Sequence, residues 1–266
     1  MSIRKLVRTL QNYGPFGRDA TESIQQWLMR VTGRPHERDF QALRFCPADA
    51  LFVDVGANHG QSILSITLVA PAATVVAFEP NRRLAAQVAT RWRRHAHVTV
   101  HAVGLSDAAL SLPLYVPSYR GHEYDGLASF DQREAVEWLT ADALYGFRPE
   151  QVTLAAVPCE LRPLDSFTFA TAPYLMKIDA QGHEYKVVAG GRRTLDTARP
   201  VLLIEGSWRD PAIAPCLASF GYGRYEFDGG RTFVRVDDAA PSEALNSFFL
   251  TEDRRNEMIR RGALFQ

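Results

Sequence analysis

The chain has 266 residues, 46% hydrophobic and 23% charged, enough for one large α/β domain with peripheral additions. Thirty basic and thirty acidic residues cancel to a formal charge of zero, so no global field attracts nucleic acid, and no apolar run reaches the length of a membrane span. Cys46, Cys159 and Cys216 are odd in number and widely spaced, which argues against a disulfide framework or zinc site and for a reducing, cytoplasmic setting.

From the start of the chain, Ile3, Leu6, Val7 and Leu10, then Ile24, Trp27, Leu28 and Val31, recur at helical spacing on either side of a break at Tyr13-Gly14-Pro15. Residues 1–45 are therefore expected to form a helical cap. The basic beginning Met1 to Arg8 has no long apolar core behind it, so it does not read as a signal peptide. Strand-like and helical runs then alternate over residues 46–236. The expected strands are Leu51–Val55, Thr74–Phe78, Val98–Val103, Tyr174–Ile178, Val201–Glu205, Tyr222–Phe227 and Thr232–Val236, seven in all, the last two joined by the hairpin signal Asp228-Gly229-Gly230-Arg231. Residues 237–266 read as a charged tail.

The segment with most chemistry is Leu51-Phe52-Val53-Asp54-Val55-Gly56-Ala57-Asn58-His59-Gly60. It is a buried strand, a turn bracketed by two glycines, and then the apolar-periodic stretch Ile63, Leu64, Ile66, Leu68. Such a turn at the mouth of a parallel sheet is expected to offer N–H groups at a helix N-terminus to a nucleotide-like ligand. Glu79-Pro80-Asn81 ends the second strand, placing a carboxylate 19 residues beyond Gly60, where a doubly wound fold presents an acid to ribose hydroxyls. The pattern G-x-G-x-x-G is absent, and Asp54 places negative charge where a pyrophosphate would be unwelcome. S-adenosylmethionine fits better, its cationic amino and sulfonium groups being attracted to Asp54.

Between Ser106 and Tyr174 lies an insertion, about 107–173, too long for a simple crossover. Ser111–Val116 alternates like a strand, Arg133–Leu139 looks helical, and the stretch between is rich in glycine, aromatic and titratable residues. It reads as an acceptor-binding lid at the carboxyl ends of the strands, with Tyr119, His122, Tyr124 and Trp138 available to stack on a sugar face or line an apolar pocket.

Four segments in order carry a resemblance: Phe52 to Ser62, Ala77-Phe78-Glu79-Pro80-Asn81, Ala102-Val103-Gly104-Leu105-Ser106-Asp107, and Leu175-Met176-Lys177-Ile178-Asp179-Ala180-Gln181-Gly182-His183-Glu184. Together they resemble the successive motifs of the FkbM family of methyltransferases over about Phe45 to Val236, with glutamine at position 181 where many relatives have glutamate. The resemblance implies a Rossmann-like, class I methyltransferase fold, a seven-stranded sheet with helices on both faces. It also implies S-adenosylmethionine as cofactor and O-methylation of a small-molecule or glycan acceptor: a sugar, glycolipid or polyketide-type natural product. The cofactor-binding residues it implies are Asp54, Gly56, Ala57, Asn58, Gly60, Ser62, Glu79, Pro80, Asn81, Leu105, Ser106, Asp107 and Asp179.

Methyl transfer from a sulfonium to a hydroxyl asks mainly for alignment in a dry site, and for a group to take the hydroxyl proton. Asp179, ending a strand beside Gly182, is the first candidate base, although capping the following helix or holding the cofactor amine would also explain it. His183 has a suitable pKa, His59 sits in the cofactor loop, and Glu205 ends the neighbouring strand. Asp179 and Glu205 with a sugar diol would offer hard oxygen ligands to Mg²⁺, although no metal-ligand motif is present. A nicotinamide-dependent oxidoreductase and a catalytically inactive cofactor-binding protein stay open as alternatives.

Overall fold

The computed structural model describes residues 17–237 and 244–266. The expected helix around Ile3, Leu6, Val7 and Leu10 lies outside the described residues. Helix α1, Gly17–Thr32, is followed by a 3₁₀ helix at Arg38–Phe45 and then by an alternating α/β unit. Its parallel strands are β1 (Leu51–Val55), β2 (Thr74–Phe78), β3 (Val98–His101), and later β8 (Pro173–Ile178) and β9 (Val201–Glu205). Helices α2 (Gln61–Val69) and α3 (Arg82–Trp92) make the first two crossovers; α5 (Glu184–Ala189) and α6 (Arg192–Thr197) join β8 to β9.

The pleat sorts each central strand between two cores. Phe52, Leu175, Val201 and Leu203 pack on one face of the sheet, whereas Val53, Val55, Met176, Ile178, Leu202 and Ile204 pack on the other. Burial on both faces explains why these strands are nearly continuous apolar runs. Asp54 and Lys177 interrupt two of them, and they are register partners on adjacent strands.

The sheet departs from the seven strands expected. Among the described residues it has nine, in the order β13-β11-β10-β12-β9-β8-β1-β2-β3, with β10 (Tyr222–Phe227), β11 (Thr232–Arg235), β12 (Asn246–Thr251) and β13 (Leu264–Phe265). The expected hairpin of β10 and β11 forms, but the strand seated between β9 and β10 is β12, antiparallel to both. It comes from the segment taken for a tail, and helix α8, Glu252–Arg260, follows it. Its apolar run is only Phe248-Phe249-Leu250, yet all six residues are buried because strands flank it on both sides.

The insertion is a second, four-stranded sheet in the order β4-β7-β5-β6, not a loop. β5 (Leu110–Tyr119) pairs along ten residues with β7 (Val152–Arg162), and the short β4 (Gly104–Leu105) and β6 (His122–Glu123) flank them. Helix α4, Gln132–Glu137, packs beside β5, and Asp131 caps it by accepting the Arg133 and Glu134 N–H groups. No described helix is long and apolar enough to cross a membrane.

Candidate active site

Gly56 leaves β1 with φ +81°, and a Cβ there would stand 1.9 Å from the carbonyl oxygen of Asp179. Only glycine fits that backbone and that approach. The loop amides are not offered outward as expected. The Gly56 and Ala57 N–H groups donate to the Phe78 carbonyl at 2.9 and 3.1 Å, the Gly60 N–H to the Ala57 carbonyl at 2.7 Å, and the Asn58 N–H to Glu79 Oε2 at 2.7 Å. Four of the five amides of the Gly56–Gly60 loop are thus engaged internally.

Glu79 also accepts the Asn81 N–H, at 2.9 Å through Oε1, while Asn81 Oδ1 accepts the Arg83 N–H and starts α3. Burial pushes Glu79 up to about 7, against the pull of these two amide bonds. Gly56, Asn58, Glu79, Pro80, Asn81, Leu105 and Asp179 line one cavity of about 250 Å³, walled by Phe78, Leu84 and Leu114. Asn58, at φ +48°, faces it with a buried Oδ1 that has no hydrogen-bond partner. A buried carboxylate, an orphaned acceptor and apolar walls suit a nucleoside bearing hydroxyl and amino donors.

At the end of β8 stands a charge cluster. Lys177 Nζ lies 3.0 Å from Asp179 Oδ2 and 3.9 Å from Asp54 Oδ1, and Gln181 Nε2 donates to Asp179 Oδ1 at 2.7 Å. Burial alone would raise Asp179, but the Lys177 charge and bonds from Glu205, Lys177 and Gln181 bring it below its ordinary value. Glu205 moves the other way, held up by burial and by the Asp179 charge, and shares a hydrogen bond with Asp179. The shared proton of this pair is thus favoured on Glu205 and the negative charge on Asp179. Lys177 is buried, which disfavours its charge, but Asp179 and Asp54 more than compensate and raise it.

Asp54 does not reach the cavity. It is fully buried, receives the Ser62 hydroxyl, and is raised chiefly by desolvation. Asp54 is thus not placed to face a ligand as expected, whereas Asp179 lines the cavity.

Glu205 and Gln181 also line a second cleft of about 590 Å³, running between α4 and the Gly206–Pro211 turn. Trp138 and Trp208 stand there, 53% and 40% exposed, with the Arg209 guanidinium 5.3 Å from each ring. Ser129 donates to the Gln181 carbonyl and to Glu134, both at 2.9 Å, fastening the insertion to the end of β8.

Other expected residues lie elsewhere. Tyr119 is buried with Leu139 and Leu144, its hydroxyl donating to the Gly146 carbonyl and accepting the Arg148 N–H, so it holds the insertion together. His122 and Tyr124 pack edge to face at 4.8 Å on the hairpin, outside both cavities. The neighbouring Asp125 and Gly126, expected only on the acceptor side, line the first cavity beside Glu79. His59 pairs with Asp125 at 3.1 Å, and His183 bonds Ser106 at 3.0 Å and packs on Phe130. Neither histidine lines either of these cavities, and burial lowers His183 further from a charged role. Ser106 also donates to Asp107, which pairs with Lys186 at 2.8 Å on the surface; neither lines either cavity. Among the described residues no group of three or more His, Cys, Asp or Glu is arranged to hold a metal.

Lys177, Trp208 and Arg209 were not singled out from the sequence. A lysine inside the otherwise apolar Tyr174–Ile178, two residues before an aspartate on the same strand face, was the available signal for the first.

An α/β sheet with a cavity at the carboxyl ends of its parallel strands, beside a second cleft, has the architecture in which open α/β proteins bind ligands. The Methyltransferase FkbM domain matches residues 54–235, and the chain belongs to this family of methyltransferases. AMB antimetabolite synthetase AmbE of Pseudomonas aeruginosa is 30% identical over 190 residues, 63% of this chain but only 9% of that protein's length. The structure of methyltransferase FkbM from Methylobacillus flagellatus KT aligns with a TM-score of 0.46 at 17% identity, covering 76% of this chain and 44% of that one. Precorrin-6y C5,15-methyltransferase from Geobacter metallireducens GS-15 aligns at 0.38 and 13% identity, covering 80% and 83%.

Proposed function

We propose that the chain is an S-adenosylmethionine-dependent O-methyltransferase acting on a hydroxyl of a sugar, glycolipid or polyketide-type acceptor. The observation that carries this reading is the junction of the two cavities at Gln181 and Glu205, beside Asp179 in the first cavity. Glu79 would hold the ribose hydroxyls through the lone pairs its two amide partners leave free, and Asn58 Oδ1 would accept a donor from the cofactor. Asp179 would face its cationic portion. The cofactor supplies an already activated methyl group.

The protein's own part is alignment and proton management. The acceptor would lie in the second cleft with an apolar face on Trp138 or Trp208, its hydroxyl reaching Asp179 past Gln181. The ionised Asp179 would accept that hydroxyl's proton, while the Glu205 hydrogen bond and the Lys177 charge keep its carboxylate aimed. The oxidoreductase reading is disfavoured by the internal engagement of the Gly56, Ala57, Asn58 and Gly60 N–H groups, which are not offered to a pyrophosphate.

The test is incubation with methyl-labelled S-adenosylmethionine and a panel of sugar nucleotides, glycolipids and natural-product aglycones. Label in an ether product supports the proposal; cofactor binding without transfer to any of them favours an inactive binding protein.

A further inference from the structure

We propose that helix α1 docks the protein on an anionic lipid surface. Ile24, Trp27, Leu28 and Val31, the apolar residues at helical spacing, are 55%, 59%, 47% and 63% exposed. They recur one turn apart and form a continuous apolar stripe on the outer face of α1. The inner face is anchored: Met29 packs in the core, Gln26 Nε2 donates to the His59 carbonyl at 3.2 Å, and Arg91 donates to Gln26 Oε1 and to the same carbonyl. The helix cannot roll its stripe inward without breaking these bonds, so the stripe is held outward beside the cofactor loop.

Charge identifies the occupant. Residues 1–34 contain Arg4, Lys5, Arg8, Arg18, Arg30 and Arg34 against Asp19 and Glu22, a net of +4 in a chain whose formal charge is zero. Arg30 and Arg34 are exposed at the C-terminal end of the stripe. A helix with Trp and Leu on one face and cationic flanks is built to lie in the headgroup region of a bilayer. A second copy fits less well, because an identical segment of net +4 offers no opposite charge to complement this one.

The test is sedimentation of the full chain with vesicles of phosphatidylcholine alone or mixed with phosphatidylglycerol. The expected result is binding to the mixed vesicles that weakens with salt, and that falls about 10-fold or more in Trp27→Gln/Leu28→Gln, which removes apolar area from the lipid contact. Arg30→Glu/Arg34→Glu should lose the preference for anionic vesicles, and both variants should keep S-adenosylmethionine affinity and helicity. If the double apolar variant loses helicity, Val31→Gln at the helix end replaces it. Absence of vesicle binding, or equal binding by the apolar variants, overturns the proposal. So does a dimer in sedimentation equilibrium that Trp27→Gln/Leu28→Gln dissolves, which would assign the face to a second copy.

Discussion

The Asp179 carbonyl oxygen occupies the space a Cβ on Gly56 would need, and the Asp179 N–H donates to the Val55 carbonyl at 3.1 Å. The turn that opens the cofactor loop and the residue proposed as proton acceptor are thus packed backbone to backbone.

Gly56→Ala should therefore damage both at once. A left-handed non-glycine residue and a 1.9 Å clash against backbone that has no room to move predict a loss of roughly 2–4 kcal/mol, read as a lower Tm, together with loss of cofactor binding. A variant that keeps both would mean that β8 shifts freely against β1.

Glu79 sets a pH dependence. Its carboxyl is pushed up to about 7 in the fold from 4.5, so the folded state binds the proton more tightly, and stability contributed here is lost as pH rises from about 4.5 to 7. Glu79→Gln should flatten that slope, a difference on the order of 3 kcal/mol between the two ends in paired denaturant titrations. Cofactor affinity should run the other way, rising through pH 7 as the carboxylate ionises. Glu79→Ala should weaken it by roughly 10- to 150-fold by calorimetry.

Asp179→Asn keeps the shape and removes the proton acceptor, so kcat should fall by about 10²-fold or more with smaller change in cofactor affinity. The opposite pattern, weak binding with kcat recovered at saturation, would make Asp179 a cofactor anchor.

Lys177→Met leaves Asp54 and Asp179 buried without their counter-charge, which predicts a loss of roughly 3–5 kcal/mol in stability. In the fraction that folds, Asp179 loses the charge that keeps it ionised, so the acidic limb of the pH–rate profile should move to higher pH. An unmoved limb would show that Asp179 does not titrate in turnover.

Trp208→Ala should raise the acceptor KM and leave cofactor affinity unchanged, since Trp208 lines only the second cleft. Equal losses in both would place the two ligands in one pocket.

Leu51–Val55, Thr74–Phe78 and Val201–Glu205 were legible to the residue, because strands covered on both faces are written mostly in apolar side chains, broken here only by Asp54, Thr74 and Glu205. β7 was not, since most of Val152–Arg162 is exposed or half-buried and Pro158 interrupts it. Glu79 was legible from its distance to the glycine turn. The Lys177–Asp54 pairing was not, because it depends on how β1 and β8 align. The histidines misled for a related reason: sequence supplies a titratable ring but not the Ser106 or Asp125 that engages it.

The seating of β12 between β9 and β10 fixes the order in which this protein can be completed on the ribosome. β10 is synthesised first, but the strand it must lie against does not exist until Asn246–Thr251 has left the exit tunnel, so β10 and β11 wait with an open edge. The half of the sheet carrying Asp54 and Glu79 can pair early. The half that braces Glu205 closes only after Thr251 emerges, which makes the acceptor side of the site the last part to form.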